Sequence, residues 1–271
     1  MVPALRSVSL EDLTIEDERS VAHIEVYRRL KQALRRSGHR FLIPVAGGAI
    51  SWDRVVFLNL TYWTGDGDAG ADVLCDDHIA ADEIGHVAWH HVVARELARQ
   101  SPGATERPPS AEALFFSESI ASAFDIYLVG RLLHDMPDSD FITTQVPLIA
   151  ERAQTAGLAP AACARLLEEI CREPERAFED MRALLLDVAN ALLACRGAPA
   201  AQRAFAGFAD HRFEPLLHHF EISNWILYAR AYGARSPGGD AVVARLDGLL
   251  RQAPSALGWL IENWIDGDMT A

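Results

Sequence analysis

The chain has 271 residues, half of them apolar and 23% charged, enough to bury a sizeable core as one large domain or two small ones. Its formal net charge of -13 argues against nucleic acid or an anionic membrane as a partner, because both favour Lys/Arg surfaces. Its four cysteines make no C-x-x-C pair and no disulfide framework, so reduced thiols in a cytoplasmic protein are expected.

The N-terminus shows no basic start followed by an apolar run, so no signal peptide is expected. Residues 1–19 are polar and read as a loose lead-in. A helix fits 20–36, where Val21, Ile24, Tyr27 and Leu34 are spaced for one buried side. The texture then changes. Residues 41–45 and 55–63 are rich in β-branched and aromatic side chains and read as short strands, with a buried helix as the alternative for the second. Residues 65–72 form an acidic glycine loop. A calcium loop needs Gly at its sixth position and Glu at its twelfth. Ala71 and Asp77 stand there, which favours a solvated turn.

From there on helices dominate. They are expected over 78–99, 110–134, 146–156, 160–172, 174–195, 214–233, 239–251 and 254–264, with Pro or Gly at most boundaries. Ser110 is a good N-cap for the second of these, with Glu112 in the first turn. No apolar run approaches the ~20 residues of a membrane span. The fold class expected is mostly α, with a few short strands within 40–63. A division near Pro137 gives a mixed half, 1–136, and an all-helical half, 137–271, packed together as one unit.

The stretch 77–91 holds four of the ten histidines. On a helix, Glu83, His86 and His90 fall within about 60° of one another. Val87, Val93, Ala94 and Leu97 share or flank that arc, while Arg95, Glu96 and Arg99 lie opposite, so the polar stripe is expected to face the core. Asp82 is at its edge. Buried carboxylates and imidazoles are costly unless they are paired or bound to metal. The next helix repeats the pattern, with Glu118 and Asp125 among Leu114, Phe115, Ala121, Val129, Leu132 and Leu133. Two such helices could meet across one divalent ion, zinc or iron, held by His86, His90 and Glu118, with Asp82 or Glu83 adding or replacing one ligand. The plainer alternative is an internal salt-bridge cluster in a non-enzymatic helical interaction protein.

A weaker stripe is Glu214, His218 and Glu221, with Trp225 and Tyr228 beside it; Pro215 makes Glu214 a helix cap. It would complete a second metal, line a pocket, or be a surface face. His23, His39, His134, His211 and His219 carry no pattern. His78 and His91, beside the main stripe, read as solvated or packed.

Asp82-Glu83-Ile84-Gly85-His86 resembles the HExxH helix of zincin metallopeptidases with Asp in place of the first His. Ser117-Glu118-Ser119-Ile120-Ala121-Ser122-Ala123-Phe124-Asp125 resembles the glutamate helix of the gluzincin branch. The resemblance covers about 40–134. It implies Glu83 as the general base that activates water at the metal, and Asp82, His86 and Glu118 as ligands. In the other register, His86-Val87-Ala88-Trp89-His90, both histidines are present but Val87 replaces the glutamate. The rival resemblance is to ferritin-like and haem-oxygenase-like di-iron oxygenases, whose Glu-x-x-His is matched by Glu83 and His86. It implies upstream Glu25 or Asp53 and downstream Glu118. Either resemblance implies a metal-dependent enzyme, hydrolytic or non-haem iron, acting on a small molecule or a peptide. The sequence says nothing of oligomeric state.

Overall fold

The computed structural model describes residues 4–45, 50–51, 55, 72–100, 109–233 and 239–266. The chain is mostly helical, with short strands in two small sheets, as the composition and periodicity imply. It divides into two compact units, residues 1–91 and 92–271.

The first unit holds all the described strands. β1 (Leu5–Val8) pairs antiparallel with β3 (Phe41–Pro44), in register Leu5↔Pro44 to Val8↔Phe41. β4 (Asp72–Val73) joins β3 in parallel, Phe41 opposite Asp72. β2 (Thr14–Glu16) and β5 (His78–Ala80) form a separate parallel pair. The inward residues Val8, Phe41, Ile43 and Val73 are buried. The lead-in expected over 1–19 is therefore a correction: it contains β1 and β2. These strands are so short that their partners, not local propensity, decide them.

The helix expected over 20–36 is split into α1 (Glu18–Val21) and α2 (Glu25–Arg36). α2 buries Val26, Tyr27, Leu30, Ala33 and Leu34, one apolar stripe at helical spacing. The hydroxyl of Tyr27 donates to Glu18 Oε1 at 3.3 Å, and Lys31 pairs with the same carboxylate. The strand at 41–45 is present as β3. Within the 55–63 segment only Val55 is described, and it is helical. Of the acidic loop, only Asp72 is described.

α3 (Ala81–Gln100) begins after β5, so residues 78–80 are strand rather than helix, and the division between the units falls inside it. In the second unit, α4 (Ala111–Leu132) starts as its sequence indicates: the Ser110 hydroxyl accepts from the backbone N–H of Ala113 at 3.0 Å. α5 (Asp140–Thr155), α6 (Pro160–Arg172) and α7 (Pro174–Leu193) follow. α4 packs chiefly against α7 and also against α6. Gly130 makes the close approach possible: a Cβ there would stand 2.7 Å from the carbonyl oxygen of Ile170 and 2.8 Å from Pro174 Cβ. α4 is long and apolar enough to cross a membrane, by length and composition alone; 67% of its most apolar window is buried inside the protein. A helix apolar on all sides is also what the centre of a helical core requires.

α8 (Ala198–Ala206) is a helix that the periodicity misses, because it buries no residue and so carries no apolar stripe. A proline in its first turn and a run of alanines are enough to form it. The helix expected over 214–233 is instead a 3₁₀ segment, Glu214–Phe220, then Glu221 in the left-handed region at φ 48°, then α9 (Ile222–Tyr232). α10 (Ala241–Gln252) and α11 (Ala256–Leu260) follow, and a π turn, Ile261–Ile265, closes the described chain. All four cysteines are free thiols.

Candidate metal centre

His86 and His90 occupy successive turns of α3. Their ring centroids are 4.8 Å apart with the planes at 61°. Each offers one ring nitrogen, and Glu118 on α4 offers one carboxylate oxygen, such that all these atoms lie within 4.8 Å of one another. The three residues are half-buried. Among the described residues this is the one group of three or more His, Cys, Asp or Glu side chains so arranged.

Two ligands at about 2.1 Å from one ion are at most about 4.2 Å apart, and about 3.4 Å apart in a tetrahedron. The group must therefore contract by as much as ~1.4 Å to hold an ion. Small side-chain rotations achieve this, at about 0.5–1.5 kcal/mol for each strained torsion. The donor set fits a borderline divalent metal: two imidazoles and one carboxylate suit zinc or ferrous iron and are too nitrogen-rich for calcium.

The orientation of α3 differs from the expectation. Its most buried arc is Ile84, Ala88, Trp89, Val92 and Glu96, which is centred away from the histidine stripe, with buried Val93 and Val87 flanking the stripe on either side. Glu96 is 2% exposed; Arg99 Nη2 lies 2.8 Å from it, and Arg95 Nη2 donates to the Trp264 carbonyl oxygen at 2.8 Å. The stripe is thus half-buried rather than in the core. Both arcs of this helix are apolar enough to pack, and the bulk of Ile84 and Trp89 wins.

Asp82 is not one of the three ligands that come together. This favours the His86/His90 register, in which Val87 stands where a zincin carries its glutamate. Glu83, one turn before His86, is exposed at its surface. Protein crowded around its carboxyl nevertheless raises its pKa by desolvation; the charges of Asp82 and Asp72 add to this, and His86 opposes it. Water still reaches the side chain and tempers the shift.

Glu214, His218 and Glu221 are not brought together as a metal-ligating group among the described residues. The 3₁₀ segment turns every three residues, so the i, i+4, i+7 relation no longer describes one face. His218 is exposed and leans on Phe205, with ring centroids 5.3 Å apart, while Glu221 accepts from Asn224 Nδ2 at 2.7 Å. In the same region burial lowers the pKa of His219, against the raising charge of Asp125.

Sequence pattern offers no reason to select one further pair. His39 Nε2 and Asp72 Oδ2 are 2.9 Å apart, and the side chains are only 11% and 15% exposed. The two lie thirty-three positions apart and meet only because β3 and β4 pair.

Set against family models, curated proteins and solved structures, the chain matches none of them. What the residues and the fold define is a mostly helical protein with a candidate His/His/Glu metal group.

Proposed function

We propose that this protein is a metal-dependent enzyme with a single divalent ion held by His86, His90 and Glu118. The observation that carries this reading is the convergence of one potential ligand atom from each of these residues. The hydrolytic form of the reading is supported by Glu83, although this register puts Val87 where a zincin carries its glutamate. Glu83 stands one helical turn from the first ligand, and its raised pKa suits a group that must both take and give a proton. A bound zinc would supply Lewis acidity and lower the pKa of water. Glu83 would accept the proton of that water at a carboxylate oxygen and return it to the leaving group. The partial exposure of the ligands is compatible with a small molecule or a peptide as substrate.

A second reading, a mononuclear non-haem iron oxygenase, has the same support from the ligand set, since two His and one carboxylate are the facial set for ferrous iron. The di-iron version lacks a second ligand group among the described residues.

Metal analysis of protein purified without added metal tests these readings. One zinc per chain, lost in His86→Ala, is expected. One iron per chain would move the assignment to the oxygenase. A folded protein with no metal, or His86→Ala with full metal content, would overturn the centre and leave a helical interaction protein.

A further inference from the structure

Three contacts within residues 1–91 form a chain leading to the ligand-bearing helix. Asp72 heads β4, where backbone pairing with β3 fixes it opposite Phe41. Its Oδ2 lies 2.9 Å from His39 Nε2, in the turn after α2. The His39 ring packs edge-on against Phe41, centroids 5.0 Å apart, and against His91, 5.5 Å apart at 71°. His91 follows His90 directly on α3.

A largely buried acid–imidazole pair is a poor way to stabilise a fold. Apolar residues of the same size often do as well or better. It is a good way to fix a ring. The carboxylate sets the tautomer and plane of His39, and outer partners of this kind orient the groups around metal sites. Orientation matters here, because the ligand atoms must close by as much as ~1.4 Å around an ion and a firm backing decides which side chain moves. Asp72 also acts on the polar face of α3, where its charge reaches the Glu83 carboxyl.

We propose that Asp72 and His39 are positioning residues of the candidate metal centre: Asp72 locks the His39 ring, and His39 braces His91 and with it the turn of α3 that carries His90. This rests on the metal reading of His86, His90 and Glu118.

Cobalt(II) titration of the full chain, followed by visible absorption, tests it. Cobalt reports both affinity and ligand geometry. Asp72→Asn and His39→Phe are each expected to keep the native circular dichroism, bind cobalt roughly 10-fold more weakly and shift the visible band. The double variant is expected to be no weaker than either single one, because the two act as a unit. Unchanged affinity and spectrum in both folded variants would overturn the positioning role and leave the centre intact. Wild-type protein that binds no cobalt would overturn the centre and this inference together. Loss of fold in both variants would also overturn it, since the pair would then be a brace of the sheet.

Discussion

A bound ion must stabilise the folded chain, because it binds the folded state and not the unfolded one. Four-ligand structural zinc sites contribute about 10–16 kcal/mol of apparent binding free energy, and the low end is taken for a three-ligand group. Rotating three side chains to close the group costs roughly 2–4 kcal/mol at about 0.5–1.5 each. The remainder, about 6 kcal/mol or more, corresponds to binding no weaker than the tens of micromolar. At zinc 100-fold above its dissociation constant, the folded state gains about 2.7 kcal/mol. For a chain of this size, that raises Tm by roughly 5–11 °C. Removing one of three ligands in His86→Ala should weaken binding at least ~100-fold, which leaves about 0.4 kcal/mol at the same zinc concentration. Differential scanning calorimetry with and without zinc, using a chelator-treated control, measures both. A wild-type Tm that ignores millimolar zinc, or an equal rise in His86→Ala, would refute the reasoning.

Three further predictions concern the second unit. Gly130→Ala should destabilise by up to about 2 kcal/mol although Gly→Ala in a helix usually gains up to ~1, because overpacking costs about 1–3 kcal/mol. The clash is with the Ile170 carbonyl oxygen and Pro174 Cβ, at 2.7 and 2.8 Å, and a raised Tm in this variant would contradict the packing. Arg182 is fully buried, donating at 2.8 Å to Asp247 and at 2.9 Å to Glu179. Arg182→Met strands the Glu179 carboxylate and should cost about 3 kcal/mol in urea denaturation; Asp247 keeps its bond to Arg251, and a loss below ~1 would show the network to be idle. Burial lowers the pKa of both His211 and His219 below the ordinary 6.5. Their neutral forms therefore add stability that is fully present above pH 6.5 and is lost as pH falls through the lowered values. His211→Gln/His219→Gln should flatten the stability profile between pH 7 and 5, and an unchanged slope would reject the assignment.

Much of the fold was legible wherever a strong local signal stood alone. α6 runs from Pro160 to Arg172, as its periodicity indicates, and α4 starts at the Ser110 cap. The strands β1 and β2 were not legible, since three- and four-residue strands are made by their partners. α8 was missed because an alanine-rich helix that buries no residue has propensity but no marked stripe. Glu214 to Glu221 misled because i, i+4, i+7 spacing shares a face only at 3.6 residues per turn, and Pro215 opens a 3₁₀ segment instead. At the site, His86, His90 and Glu118 were legible as residue types at helical spacing. His39 and Asp72 were not, because their meeting is a fact of sheet pairing rather than of spacing.

The direction in which α3 packs changes what the site can do. Val87, Val93, Ala94 and Leu97 imply, from spacing alone, that Glu83, His86 and His90 face the core. Had that held, both imidazoles would need metal or partners simply to be tolerated, and burial itself would have required an ion or its equivalent. Instead Ile84, Ala88, Trp89 and Val92 centre the buried side, Val87 and Val93 are buried at the flanks of the stripe, and the histidines themselves are half-buried. Burial no longer demands a metal; the convergence of ligand atoms from two helices must carry that claim by itself. In return, a half-buried group of three protein ligands would leave a bound ion room for a further, non-protein ligand, which catalysis needs and a structural site does not. A closed four-ligand zinc site would protect its ion from chelators, whereas this one should surrender it readily. Metal loss within minutes in excess dipicolinate is therefore expected. Retention for hours would point to a fourth protein ligand and a structural role.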